Sequence, residues 1–379
     1  MSYQLPDLLS LFQSYHDLSI NKHCRSASLS SEEWVRGVAQ EVIPPSICSG
    51  LPGMKLGLLA ACCFPSCDLN QLILVTDLWT LIMLDTLTVL RSEPPIRSHC
   101  DLPEDSKSDF PAVVESHILL KRLLPRLFRL RASMSDTWQQ RFTASVFSYM
   151  DSRQKAINHR SEGSVVPLDI DDYIEFRRNL SGINIMLDLI EAVEGLELDI
   201  PVYNEELRTL RQLVGEIITI TWDVFSYNVD QSIDNKLNIV SLLRSNQDIG
   251  LANAINEAGT AIRQRIDRFK SLENTLLASI KAASSQDSTV SGSTTSSSWF
   301  WSHFSSSTTP ETEVPGPSIT DIQEHDIVLH IRGLKDCMVG FLNWAYETDM
   351  FFGTKGESVK GFGWVFLLSP QSSVSSNGA

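Results

Sequence analysis

Apolar residues recur at helical spacing through most of this chain, and alternation with a period of two is almost absent. The segments 30–42, 70–91, 112–131, 134–156, 169–195, 203–230, 234–245, 248–283 and 321–351 read as helices. Helix breakers fall between them at Pro44-Pro45, Pro94-Pro95, Gly163 to Pro167 and Pro201. Several segments are apolar nearly all round, as buried helices of a large bundle are. The expected fold class is all-α: a single-domain bundle of about ten helices around a central apolar cavity. With 379 residues, 42% of them hydrophobic, the chain has enough material for a sizeable core.

The longest apolar stretch, Leu72–Leu90, is long enough to span a bilayer, but Asp77 and Asp85 interrupt it. Two carboxylates inside a span are costly, so a buried core helix is expected and stable membrane insertion is not. A formal charge of −15 excludes nucleic acid as a partner, because binding it needs a basic face. Seven cysteines without a CxxC pair make no disulfide framework. Cys62, Cys63 and Cys67 lie close together without a histidine to complete a zinc set, and read as reduced thiols. Met1–Phe12 is short and carries Gln4, Pro6 and Asp7, unlike a secretory signal, so a cytoplasmic location is expected.

Ser284–Ser318 is rich in serine and threonine and reads as a disordered insertion between two helices, although it holds Trp299, Phe300, Trp301 and Phe304. The domain is placed at 1–353, with this insertion at 284–318 and a C-terminal tail at 354–379. Gly353–Leu368 is extended, and reads either as an edge strand or as a segment packed on the core.

One short piece carries chemistry. In Trp222–Asp230, helical geometry gathers Asp223, Ser226 and Asp230 within an arc of roughly 60°. Their neighbours Trp222, Val224, Phe225, Tyr227 and Val229 are large and apolar. Two carboxylates and a hydroxyl on such a helix are unfavourable unless something cationic sits there. Oxygen donors at this spacing suit Mg²⁺, which often brings a phosphate with it.

Three further places ask for the same explanation. Asp85 sits mid-helix in Leu81–Val89, Arg177-Arg178 follows Tyr173 on another apolar helix, and Trp344–Gly353 ends the last long helix. Leu5–Leu9, Trp138–Phe142, Tyr173–Gly182, Trp222–Asp230 and Thr354–Gly356 with Trp364 come in the order of the class I terpene synthases. The chain resembles that family along nearly its whole length, in particular the sesquiterpene synthases of basidiomycete fungi.

The resemblance implies a helical bundle around an apolar pocket, in which Mg²⁺ ions and basic groups hold a prenyl diphosphate, usually farnesyl diphosphate. It implies Asp85, Asp223, Ser226 and Asp230 as metal ligands, Arg178 as diphosphate sensor, Ser181 and Gly182 as its linker and effector, and Phe351 at the substrate. A monomer or weak homodimer is the implied assembly. The chain also departs from the family pattern. Only Asp85 survives of the first aspartate-rich motif, with Thr86 and Val89 at its other acidic positions. Trp222 stands where the second motif has its first ligand, Asp230 where it has glutamate, and Met350-Phe351 where an arginine–tyrosine pair belongs. On the helix, Asp223 is placed to replace the missing ligand, and Asp77 is a poor substitute for the lost acids. A catalytically impaired homologue that binds a prenyl ligand, or has no catalytic role, is the alternative to a working synthase.

Overall fold

The structure, a computed structural model, describes residues 1–13, 15–39, 41–90, 109–162, 169–200, 203–290 and 321–370. The first half holds α1 (Leu8–Gln13), α2 (Cys24–Ala39), α3 (Pro45–Ser49), α4 (Leu51–Met54), α5 (Leu56–Cys63), α6 (Leu69–Leu90), α7 (Phe110–Glu115), α8 (Leu124–Arg131) and α9 (Asp136–Glu162). The second half holds α10 (Ile170–Leu180), α11 (Ile183–Glu194), α12 (Asn204–Ser232), α13 (Ile239–Gln247), α14 (Leu251–Val290), α15 (Asp321–Glu347), α16 (Asp349–Phe352) and α17 (Gly356–Phe362). Two short strands, β1 (Ser2–Gln4) and β2 (Trp364–Phe366), pair antiparallel with Tyr3 opposite Val365.

Helix α6 shows why the fold is a bundle. Every residue from Val75 to Leu90 is buried, so its sides all need protein neighbours. It is long and apolar enough to cross a membrane, and 89% of its apolar window is buried inside the molecule. Helix α12 is likewise buried almost without a break from Leu213 to Asn228, and packs against α10, α11, α13, α14 and α15. Close approach of α5 to α15 depends on Gly340, where an added Cβ would lie 2.6 Å from the backbone of Cys62.

Most expected helices form, with instructive differences. The segment 169–195 divides into α10 and α11 because Gly182 takes a positive φ of 68°. A side chain at Gly182 would also meet Ile82 at 2.6 Å. The segment 112–131 breaks into α7, a 3₁₀ turn at Leu120–Leu123, and α8, which has Pro125 at its start. Helix α15 stops at Glu347, and Thr348 caps α16 by accepting the Met350 N–H. The tail read as extended is mostly helical, a 3₁₀ turn at Gly353–Lys355 followed by α17, and only Trp364–Phe366 forms a strand, paired with β1. Helix α14 continues to Val290, into the segment read as an insertion. The rest of that insertion, including Trp299, Phe300, Trp301 and Phe304, lies outside the described residues, as do Pro94-Pro95, Gly163 to Pro167, Pro201 and 371–379.

Candidate functional site

An apolar cavity opens between α6, α10, α11, α12 and α15. Trp79, Met83, Thr86, Arg177, Ser181, Ile183, Ile218, Thr219, Trp222 and Phe341 line it. Its walls stand close together. About 20 Å³ remains for a guest, room for roughly one water.

Trp222 joins this lining to an aromatic cluster. Its ring lies 6.0 Å from those of Trp344 and Phe341 and 5.1 Å from that of Phe351. Phe351 thus packs behind Trp222 and does not line this cavity. The sequence placed Phe351 at the substrate; in the fold it packs against Trp222 and lines a separate pocket with Asn228, Met350 and Trp364.

Arg178 does not line this cavity either. It packs over Gly215 and faces Glu216 at 3.6 Å, away from the lining. The cation that reaches the cavity is Arg177. Its Nε donates to Asp223 Oδ1 at 3.0 Å, and its Nη2, though buried, has no hydrogen-bond partner among the described residues. Ser181 lines the cavity and donates to the Arg178 carbonyl at 2.8 Å. Gly182 starts α11 and lets α10 turn into it beside Ile82.

The four proposed metal ligands do not converge. Asp85 is fully buried and faces α9, where Oδ2 accepts from the Tyr149 hydroxyl and from Arg153 Nε at 2.6 Å. Nε2 of His117 lies 3.2 Å from the same oxygen. Oδ1 has no partner among the described residues, and Asp85 does not line the cavity. Burial alone would raise its pKa, but His117 and Arg153 outweigh that and hold the carboxyl below the ordinary carboxylate range. Asp77 faces another way, paired with Arg126.

Asp223 turns its carboxylate toward α10 and α13. Besides Arg177, it accepts from the Tyr173 hydroxyl at 2.7 Å and from the Ile239 N–H at 2.9 Å. Burial raises its pKa against the pull of Arg177 and Tyr173. Ser226 donates to Asp230 Oδ2 at 2.6 Å. Asn238 Nδ2 reaches the same oxygen at 2.9 Å and the Asp223 carbonyl at 2.7 Å, while Asn235 donates to Asp230 Oδ1 at 3.0 Å. Helical periodicity put Asp223, Ser226 and Asp230 on one face. In the fold that face receives α10 and the start of α13, and protein donors engage the carboxylate oxygens.

No group of three or more His, Cys, Asp or Glu side chains able to hold a metal ion occurs among the described residues. Mg²⁺ needs near-octahedral oxygen ligands, and this donor set does not fit it. Sequence reasoning also missed Tyr149, Arg153, His117 and Asn238. Only Asn238 left a local signal: an asparagine before an apolar helix, here capping α13 by accepting the Val240 N–H.

A second polar cluster lies between α9, α11, α12 and α15. Arg141 Nε and Arg211 Nη2 meet Asp188 Oδ1 at 3.1 and 2.8 Å, and Arg141 also holds Glu191. Burial, opposed by Arg141, pushes Glu191 up to about 7, while burial and the neighbouring Arg141 and Arg211 push His330 down to about 3.

Comparison with known proteins points the same way as the sequence pattern. Residues 99–268 match the model of terpene synthase family 2, C-terminal metal binding. Sesquiterpene synthase Agr1 of Cyclocybe aegerita is 26% identical over 373 residues, 97% of this chain and 93% of that protein. The chain is similar to these terpene synthases along nearly its whole length. Sesquiterpene synthase 1 of Postia placenta is 25% identical over 370 residues, 94% of this chain and 92% of that protein. The fold agrees: a crystal structure of a-eudesmol synthase superposes with a TM-score of 0.64 at 16% identity, covering 87% of this chain and 97% of that one. The likeness is one of overall fold.

Proposed function

We propose that this chain is a sesquiterpene synthase acting on farnesyl diphosphate, in the cytoplasm, as a monomer or weak homodimer. The observation that carries this reading is the aromatic-walled cavity between α6, α10–α12 and α15, in a chain similar to named sesquiterpene synthases along nearly its full length. Trp79, Trp222 and Phe341 present ring faces and edges to whatever enters, and an aromatic face stabilises an allylic cation through its quadrupole. The apolar walls exclude water, which would quench such a cation. Mg²⁺ is the metal this reading names. Because the acids do not fit a metal site, no step is assigned to the ion.

Purified protein incubated with farnesyl diphosphate and Mg²⁺ should yield a sesquiterpene hydrocarbon or alcohol and free diphosphate. Absence of both from protein with an intact cooperative unfolding transition would defeat the reading.

A second reading is a family member that binds an isoprenoid without turning it over. It is favoured by the fate of the acids: protein donors engage both carboxylate oxygens of Asp223 and Asp230, and Oδ2 of Asp85. On this reading a prenyl ligand stabilises the chain and no product forms.

A further inference from the structure

A second pocket, of about 190 Å³, lies at the start of α12 and shares no lining residue with the aromatic cavity. Along α12, Arg208 in this pocket stands roughly 27 Å from Ser226, at a rise of about 1.5 Å per residue. Three arginines line the pocket: Arg141 from α9, and Arg208 and Arg211 from α12. Arg208 and Arg211, three positions apart, share one face of their helix. The three side chains are 30%, 64% and 15% exposed in that order, so all remain accessible.

The less exposed charges of this pocket leave an excess of positive charge. Arg141 and Arg211 lean on one shared oxygen, Oδ1 of the fully buried Asp188. Arg141 also holds Glu191, but burial pushes that carboxyl up to about 7, so near neutrality much of it is the uncharged acid. His330 registers the resulting field: after burial, Arg141 and Arg211 are what keep its ring neutral. The other acids, Asp199 in the lining and Glu205 beside Arg208, are exposed, where water and salt screen them. An exposed pair such as Arg208 and Glu205 contributes little, so its arginine is available to a stronger partner.

A guanidinium fork bonds two oxygens of an oxyanion at once. A planar carboxylate is satisfied by one such fork. A tetrahedral oxyanion presents oxygens in several directions, which suits arginines arriving from two helices. Thr137 and Asn204 add neutral donors to the lining. We propose that this pocket binds a small oxyanion of the phosphate class, inorganic phosphate or diphosphate, held by Arg141, Arg208 and Arg211 without a metal ion. The bound ion ties α9 to the start of α12. The site is independent of turnover and of any guest in the aromatic cavity.

The experiment is calorimetric titration of the full chain, in EDTA at fixed ionic strength, with inorganic phosphate, diphosphate and chloride. Phosphate should bind at a single site, diphosphate should compete for it, and chloride should show no saturable binding. Arg208→Gln should weaken phosphate about tenfold, the worth of one hydrogen bond from a charged donor. Arg129→Gln, which removes an exposed arginine from α8, should leave the affinity unchanged. Arg211→Gln should abolish binding. If that variant fails to fold, the contrast between the Arg208 and Arg129 variants decides. Phosphate should also slow hydrogen exchange in the first turns of α12.

Phosphate binding no tighter than that of chloride overturns the proposal. So does an equal loss in Arg208→Gln and Arg129→Gln, which would reflect overall charge rather than a site. Binding untouched by Arg208→Gln places the anion elsewhere and overturns it as well. Of phosphate and diphosphate, the tighter binder at the shared site is the occupant.

Discussion

Trp222 and Phe351 meet edge to face, with ring centroids 5.1 Å apart and planes at 87°. These are two of the positions at which the chain departs from its family's pattern, one in the second metal motif and one near the end of the last long helix. Their contact places both departures in one aromatic cluster. An indole at the ligand position needs an apolar neighbour, and Phe351 supplies it where a hydroxyl would be left buried. Trp222→Ala should lose about 3–5 kcal/mol of stability. In a cycle with Phe351→Ala, urea unfolding should show a coupling of about 0.5–1.5 kcal/mol. Additive effects would mean that the rings are neighbours without a mutual role.

Asp85→Asn should destabilise the chain by about 3–5 kcal/mol, because it strips the counter-charge from a buried arginine. Arg153 is the arginine concerned, held by Nε to Oδ2 at 2.6 Å. The loss should be the same in Mg²⁺ and in EDTA. Stabilisation of the native chain by Mg²⁺ that vanishes in the variant would make Asp85 a ligand after all.

Asn238→Ala should cost about 1–3 kcal/mol, through a lost helix cap and a carboxylate left short of a donor. Its amide bridges the Asp223 carbonyl and Asp230 Oδ2, while its Oδ1 caps α13. Hydrogen exchange should therefore quicken at Ile239 and Val240 before it does elsewhere in α13. Unchanged exchange there would show that the capping role is dispensable.

Glu191 should make stability depend on pH near neutrality. Its folded pKa of about 7 lies above the ordinary 4.5, so between these values the folded chain holds the proton more tightly than the unfolded chain. Stability from this group is present below pH 4.5 and is lost as pH rises through about 7. His330 acts in the opposite sense. Buried as the neutral ring, with its pKa down at about 3 against 6.5, it favours the fold above pH 6.5 and loses that contribution as pH falls. Glu191→Gln should remove the first effect and leave the second. The stability difference between native chain and variant should change by about 2–3 kcal/mol from pH 4.5 to 7.5. A difference constant over that range would contradict the assignment.

The helices were legible because burial writes itself into periodicity. Val75–Leu90 is apolar on all sides and is buried on all sides. Even the break at Gly182 had a sign in the sequence, a glycine after two arginines, although its cause is the positive φ and the approach of Ile82. The site was harder to read. Periodicity placed Asp223, Ser226 and Asp230 on one face of α12 but could not tell whether a metal or a neighbouring helix covers it. The answer depended on Tyr173, Arg177 and Asn238, two of them 50 and 46 positions away from Asp223. Asp85 meets Arg153 and Tyr149, which are 68 and 64 positions distant and carry no local motif. Arg177 and Arg178 meet different carboxylates, Asp223 and Glu216, which their adjacency in the sequence does not foretell.

The antiparallel ribbon of β1 and β2 has a consequence for the order in which this protein can be completed. Tyr3 waits for Val365, so the opening residues leave the ribosome long before their partners are made. Asn228, two residues before Asp230, donates to the Phe366 carbonyl and accepts the Leu368 N–H. The last-made strand therefore fastens both the beginning of the chain and the end of α12. Without Trp364–Phe366 the helices would lack this clasp.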